Sequence, residues 1–595
     1  MSYMKELQYP FDPNYILENK RKIKKKLLEE GSGFIDKKIA VLGGYTTSAI
    51  RQIMELFLLN NGIKPSFYES EYNKFYEDAV FENEELKEFS PDIIYICTSN
   101  RNILSYPKME DSETDVDSLL ENEYQKYELI WKSLKERYGC PIIQNDFEKP
   151  YYRLLGNREV YDIHGKVNFI NRLNQRFSEY AKDHENFYLC DVDYISSDYG
   201  LKEWSDPFYF HMYKYALNVN AIPYLAFNVA NIIKSIFGKN KKGFVTDLDN
   251  TLWGGIIGDD GVEGIKVGPE EPEGQFYSEF QRYLKEHKQL GVILNIDSKN
   301  DYENAIAGLK HPDSELSEED FVEIKANWEP KDRNFEEIAK ELDLLPESLV
   351  FLDDNPAERH IVTEQLKGVV APELDMTQHY IRNIDRNGFF EVTTLTKDDL
   401  KRGEMYKENV ERAKAQASFT DYRDYLLSLE MKGEIRSFEP IYYERISQLS
   451  NKSNQFNLTT RRYTVSDIEH MAEDPQYITL YGKLIDRFGD NGLVSVVIGK
   501  IIEDRCDIDL WIMSCRVLKR DLEYAMMDEL VRICKEKGIR EIRGYYYPTA
   551  KNGMVRDFYS LQGFTKISED EDGNTVWTMS VDGYQKKNDV IDLDL

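Results

Sequence analysis

The sequence has few of the features that mark a secreted, membrane or nucleic-acid-binding chain. Its 595 residues include only six cysteines, Cys97, Cys140, Cys190, Cys506, Cys515 and Cys534, with no CxxC pair among them. That scatter indicates neither a zinc site nor a disulfide framework. No apolar run is long enough to span a bilayer, and the opening "MSYMKELQYP" lacks the basic-then-apolar order of a secretory signal. Membrane insertion is therefore not expected, and the cytoplasm is the expected location. Positive charge is also in short supply: 76 Lys and Arg stand against 107 Asp and Glu, a net charge of −31. Such a chain is repelled by phosphate backbones and anionic surfaces, so nucleic acid is not an expected partner. Internal repeats and low-complexity tracts are lacking as well.

What remains is a chain too long for one hydrophobic core, with 41% hydrophobic residues to fill two to four. The pattern predicts an α/β protein of three units, at residues 1–238, 239–395 and 396–595. The first opens with a basic helical lead-in, "ENKRKIKKKLLEE", whose lysines are expected on a solvated face rather than a membrane surface. The strand "KIAVLGG", the helix "IRQIMELFLLNNG" and the strand "DIIYICTS" then alternate as β and α elements.

The second unit carries the chemistry. The apolar residues of "KKGFVTDLDN" read as a buried strand that ends in carboxylates, and "VILNIDS" and "SLVFLDD" follow the same grammar, separated by helical stretches. In an open parallel sheet the reactive groups collect outside the carboxyl ends of the strands. Asp247, Ser298 and the pair Asp353 and Asp354 are each expected at such an end. An isolated DxD is most often a cap or a turn, so the weight rests on the convergence. Asp247, Asp249, Asp353 and Asp354 make an oxygen-rich set of the kind Mg²⁺ prefers. Asp247 is the candidate nucleophile at phosphorus, with Asp249 the acid and base two residues on. Ser298 is placed to hydrogen-bond a phosphoryl oxygen, and Lys331 in "NWEPKDRN" to supply positive charge, ahead of Lys325 and Lys299.

"DLDNT", the serine at the second strand end, the lysine and "DDNP" resemble the haloacid dehalogenase (HAD) superfamily of aspartate-nucleophile phosphatases and phosphotransferases. More closely, "TDLDNTLWGGIIGDDG", "SKND", "NWEPK", "FLDDNPAER", "QLSNKSNQFNLTTRRY" and "WIMSCRVLKRDLEYAMMDEL" resemble the FkbH-like glyceryl transferase/phosphatase family across residues 240–563. The resemblance implies a HAD Rossmann-like parallel sheet that acts with Mg²⁺ on a small phosphorylated acid. In that reaction 1,3-bisphosphoglycerate is dephosphorylated, and its glyceryl group passes to the phosphopantetheine thiol of an acyl carrier protein. Thr251, Lys299, Asn300, Arg461 and Arg462 are the expected substrate contacts. Arg461 and Arg462, in a polar stretch with Asn451, Asn454, Gln455 and Asn457, also offer a basic surface to an acidic carrier. The alternatives are a HAD phosphatase or phosphotransferase serving surface-glycan or other secondary metabolism, and a non-catalytic carrier-docking protein.

Three departures stand out. Family members commonly carry a cysteine before "SKN", where this chain has Asp297, so no thioester forms there, and an ionised Asp297 would repel a phosphate. Cys515, ahead of Arg516, Lys519 and Arg520, is the remaining candidate thiol, in a cationic setting of the kind that activates cysteine. The strand and helix order of the third unit looks like a GNAT-like mixed α+β fold. Its "RVLKRD" replaces the small residues that let a helix start grip a diphosphate. This argues against acetyl-CoA and leaves a pantetheine arm to other contacts. The N-terminal unit looks distantly like an SGNH-type, flavodoxin-like α/β fold, yet "VLGGYTTS" lacks the serine turn. Asp206 and His211, with Ser48 or a neighbouring threonine, would make an incomplete triad, so a binding or docking role is expected of this unit.

Overall fold

The computed structural model describes residues 4–31, 33–416, 418–453, 455–549 and 551–594, which leaves Asn454 outside the described residues. Packing divides the chain into two units, Met1–Lys234 and Ser235–Leu595. In the first, strands β1 (Ile35–Gly43), β2 (Ile63–Glu69), β3 (Ile93–Cys97), β4 (Ile142–Asn145) and β5 (Phe187–Cys190) form a parallel sheet. Its order is β2-β1-β3-β4-β5, the flavodoxin-type arrangement. The basic lead-in is the helix Pro13–Glu30. Asp12 caps it and Ile16, Ile23 and Leu27 are buried, so its apolar face is used in packing while the lysines stay solvated. The core beneath is aromatic, with Trp131 edge-on to Phe177 at a centroid separation of 4.8 Å.

The second unit begins with a four-stranded parallel sheet of β6 (Gly243–Thr246), β7 (Ile293–Ser298), β8 (Glu323–Ala326) and β9 (Leu349–Leu352), ordered β8-β7-β6-β9. The three strands read from sequence, β6, β7 and β9, are buried throughout, as expected for a parallel sheet covered on both faces. Thr246 pairs with Ile296 and with Leu352, so the chain leaves β6 and β9 at one level, and Asp247 and Asp353 follow directly.

A nine-stranded mixed sheet follows: β10 (Lys432–Arg436), β11 (Phe456–Asn457), β12 (Tyr477–Asp486), β13 (Gly489–Ile502), β14 (Arg505–Met513), β15 (Glu541–Tyr546), β16 (Thr565–Glu569), β17 (Thr575–Ser580) and β18 (Asp592–Asp594). The helix Leu522–Glu536 lies between β14 and β15 in sequence, and β12 to β15 give the GNAT-like order. β14 and β15 pair in parallel only from Arg505/Glu541 to Asp507/Arg543, then separate. Residues 456–458 fill the gap. Phe456 and Asn457 pair with Met513 and Ile512, the Leu458 amide donates to the Trp511 carbonyl at 3.2 Å, and the Tyr547 amide donates to the Leu458 carbonyl at 2.9 Å.

The boundary expected near residue 395 is not a break in packing. The helix Arg402–Gln416 serves both sheets: Tyr406 and Val410 join the apolar cluster of Val245, Phe335 and Phe351, while Arg412 reaches Asp486 on β12. Asp486 accepts 2.8 Å hydrogen bonds from Nε and Nη2 of Arg412 and one of 2.9 Å from Arg520, all three side chains being buried. Two guanidiniums thus share one carboxylate in a dry setting, and its removal leaves Arg412 with Glu408 at 3.3 Å and Arg520 with no carboxylate in contact among the described residues. Among the described residues no helix is long and apolar enough to cross a membrane. Asp486→Ala is expected to lower the unfolding free energy by about 3–5 kcal/mol, measured by equilibrium urea denaturation.

Candidate active site

The site grows from the turn after β6. Alternation at the strand end sends Leu248 into the core, fully buried, and leaves Asp247 and Asp249 on the other side. Asn250 takes a left-handed conformation, φ 55°, which asparagine tolerates better than most residues. The turn is then closed by the Thr251 and Leu252 amides donating to the Leu248 carbonyl at 3.1 and 2.8 Å. Gly255 follows at φ +92°, where an added Cβ would lie 2.6 Å from an Asp260 carboxylate oxygen.

Four groups meet at the strand ends. Oxygens of Asp247, Asp353 and Asp354 lie within 4.8 Å of one another. Lys331, the first residue of the helix Lys331–Glu341, places its ammonium 2.8 Å from Asp247 and 2.5 Å from Asp353, and is only 3% exposed. Burial works against the Lys331 charge, but Asp247 and Asp353 outweigh it and hold the group above the ordinary lysine range. Burial, and then the Asp247 charge, push Asp353 up to about 7 and raise Asp354 as well. Three carboxylates against one ammonium leave a surplus of negative charge among hard oxygen donors. That donor set fits a small divalent cation such as Mg²⁺.

Asp249 stands apart from that cluster. Its Oδ1 accepts from the Trp253 indole at 2.8 Å and the Ile257 amide at 3.1 Å, and its Oδ2 from Asn300 at 3.0 Å. Of the four carboxylates expected from sequence to hold a metal, Asp247, Asp353 and Asp354 cluster, and Asp249 is bonded by these local donors. Burial raises its proton affinity, which suits an acid. Ser298 ends β7, buried, and its carbonyl accepts from the amides of Asn300 and Asn327 at 3.0 and 3.1 Å. Thr251 accepts from the Asp354 amide at 3.2 Å and so braces the two acidic turns. Lys299 is exposed and bound to Glu358 at 2.5 Å, and Lys325 is paired with Glu337 and Glu341 at the edge of the sheet.

Asp297 is fully buried, accepts from Asn334 at 3.1 Å, and its Oδ2 has no hydrogen-bond partner among the described residues. Burial raises its carboxyl far above the usual range, past what Lys331 and Asn334 offset. The same burial disfavours the ionised form in which the group would repel a phosphate. Trp253, Asn334 and Arg359 escaped sequence reasoning. Arg359 binds the carbonyls of Asp353 and Asp354, each at 2.7 Å, and so fixes the acidic turn. The one available signal for Asn334 was its position three residues after Lys331, on the same helix face.

Other expected residues are used elsewhere. Arg461 pairs with Asp509 while its side chain stays about half exposed, and Arg462 donates to the Ser450 and Asn451 carbonyls. In "RVLKRD", Arg516 and Arg520 are buried, and Arg520 is committed to Asp486. With residues 456–458 in the splay, the edge of β14 at residues 511–513 is bonded by the chain itself and is closed to an arm-like ligand. Cys515 lies half-buried beyond β14, packs on the cluster that includes Val245 and Ile293, and shares a cavity with Lys242, Val292 and Ser348 at the amino ends of the strands, away from the carboxylates. In the first unit Asp206 caps the helix Pro207–Tyr213 by accepting from the Phe208 amide at 2.8 Å, and His211 is exposed on that helix. Ser48 opens the helix Ser48–Asn60.

Residues 38–234 match the family model described as FkbH, N-terminal domain. No curated protein matches the sequence. Among solved structures the chain is similar to the N-terminal part of the protein BF1531 from Bacteroides fragilis, described as containing a phosphatase domain complexed with Mg. Identity is 27%, over 64% of this chain and 99% of that one, with a TM-score of 0.58. It is also similar to a GNAT-family acetyltransferase from Streptococcus pneumoniae (16% identity, 25% of this chain and 99% of that one, TM-score 0.21). A third is the PaiA N-acetyltransferase from Thermoplasma acidophilum in complex with coenzyme A (18%, 25% and 99%, TM-score 0.19). The last two scores are too low to carry weight, and the GNAT-like fold rests on the strand order itself. The N-terminal match to the FkbH N-terminal domain model and the likeness to the BF1531 fragment are what the chain is similar to, and with the strand-end aspartates they describe an enzyme with a HAD-like phosphatase fold.

Proposed function

We propose that the chain is a Mg²⁺-dependent phosphatase of the aspartyl-phosphate type. Its substrate class is a small phosphorylated acid resembling 1,3-bisphosphoglycerate, and its second activity is transfer of the glyceryl group to the thiol of an acyl carrier protein. The observation that carries the phosphatase reading is the convergence of Asp247, Asp353, Asp354 and Lys331 at adjacent strand ends. The Mg²⁺ bound to the BF1531 fragment supports the cofactor.

In this reading an Asp247 oxygen attacks phosphorus and forms an acyl phosphate as the ester P–O bond breaks. Asp249, oriented by Trp253, Ile257 and Asn300, gives its proton to the leaving oxygen and then takes one from the water that hydrolyses the intermediate. Lys331 stays charged throughout and offsets the negative charge of the transferring group. Asp247, Asp353 and Asp354 would hold Mg²⁺, which supplies further neutralisation of that charge when bound. Transfer to a thiol needs no such help at the activated end, because an acyl phosphate expels phosphate on attack. The remaining phosphate monoester is the bond that needs the aspartates. Cys515, at the amino ends of the strands with Lys242, Val292 and Ser348, takes no part in this phosphoryl chemistry.

Asp247→Asn is expected to abolish Mg²⁺-dependent phosphate release from small phosphoesters, and Asp249→Asn to lower kcat by about 10²- to 10⁴-fold. Unchanged turnover in either variant would sink the assignment. Millimolar Mg²⁺ is expected to raise the thermal midpoint of the wild type and to leave an Asp353→Asn/Asp354→Asn variant unmoved, as read by differential scanning calorimetry. Incubation with Mg²⁺, 1,3-bisphosphoglycerate and a phosphopantetheinylated carrier is expected to add one glyceryl mass to the carrier. Free phosphate without that adduct would leave the phosphatase standing and reject the transfer.

A further inference from the structure

A cavity of about 210 Å³ opens at the amino ends of the same strands. Lys242, Val292 and Ser348, which precede β6, β7 and β9, line it together with residues 513–516 after β14. The carboxylates leave the opposite ends. A four-residue strand of about 13 Å lies between, at ~3.3 Å per residue, so the cavity is separate from the phosphoryl site.

Its charge is the reverse of the chain's. Eight lysines and arginines and five acidic residues line it, in a protein of net charge −31. Some of these cations are paired: Lys551 with Glu347, and Arg402 with Asp399. Lys239, Lys242 and Arg516 are not, having no carboxylate within 4.0 Å among the described residues. The Arg516 guanidinium, on a residue only 7% exposed, meets just the Ser514 hydroxyl and the Met405 sulfur. Burial, aided by Lys551 and Arg462, lowers Lys239 to about 7, and burial lowers Lys242 as well. Three desolvated cations without a counter-charge are unfavourable in the empty protein and become favourable when an anion enters.

We propose that this cavity is a second ligand site, which binds a small phosphate-bearing anion between Lys239, Lys242 and Arg516, with the Cys515 thiol on its wall. The volume lies below the range of about 300–1,000 Å³ usual for drug-sized ligands, so the occupant is a compact phosphate or phosphoester rather than a nucleotide. The site does not depend on the phosphatase reading, since it shares none of the strand-end residues.

Cys515 supplies the readout, because the other five cysteines are buried. The intact protein is treated with iodoacetamide in 10 mM inorganic phosphate or in chloride of equal ionic strength, and Cys515 alkylation is followed by peptide mass spectrometry. Phosphate is expected to slow alkylation at least fivefold in the wild type and in Asp247→Asn. Lys239→Gln/Lys242→Gln, which removes two unpaired, half-buried amines and so does not threaten the fold, is expected to lose the protection. Equal rates in phosphate and chloride for the wild type would overturn the proposal. So would protection that survives in the lysine variant, or protection that disappears in Asp247→Asn, which would place the phosphate at the strand-end carboxylates instead.

Discussion

The ammonium of Lys331 lies between Asp247 and Asp353, and the site depends on that placement. Two carboxylates that leave adjacent strands at one level, in a buried setting, repel each other. A lysine at 3% exposure, delivered by the start of its own helix, lets them remain close. The rest of the local architecture supports this contact. Arg359 holds the Asp353–Asp354 turn by its carbonyls, Thr251 braces it from the opposite turn, and Asn334 donates to the buried Asp297. One lysine against three carboxylates still leaves negative charge, and that surplus makes a divalent cation the natural complement.

The sheet separates two electrostatic environments. Its carboxyl ends gather acids, and its amino ends face a basic cavity closed by the loop after β14. Both arise in a strongly acidic chain, so the basic cluster is a local concentration rather than a reflection of composition. The helix Arg402–Gln416 makes this arrangement possible. It shares Tyr406 and Val410 with the phosphatase-like core and Arg412 with the nine-stranded sheet, and so welds two α/β layers into one unit.

The GNAT-like sheet is altered in a consistent way. The splay between β14 and β15 is filled by residues 456–458, the arginines of the following loop turn inward, and Arg461 and Arg462 hold the filling segment in place. The polar run that reads as a ligand-binding loop thus also has a structural part, since residues 456–458 pair with β14. Its amides and guanidiniums satisfy carbonyls and a carboxylate of the chain, as buried polar groups must.

The sequence by itself determined where the reactive groups stand. Apolar runs that end in Asp247, Ser298 and Asp353 specify buried parallel strands, and parallel strands deliver their ends to one edge. The β1 and β3 strands, the helix Leu522–Glu536 and the pair β13 and β14 were equally legible, because each carries its period within a short window. Only the tertiary structure decided how those groups are oriented and paired. Nothing local to Asp249 signals that Trp253, Ile257 and Asn300 bond it. Nothing near Arg461 announces Asp509, and nothing near Lys239, Lys242 and Arg516 indicates that they share one cavity. Those outcomes depend on partners such as Asn300 and Asp509, about fifty residues away, and on how the nearer donors are turned by the fold. Burial and counter-charge are properties of the assembled interior, which no periodicity along the chain encodes.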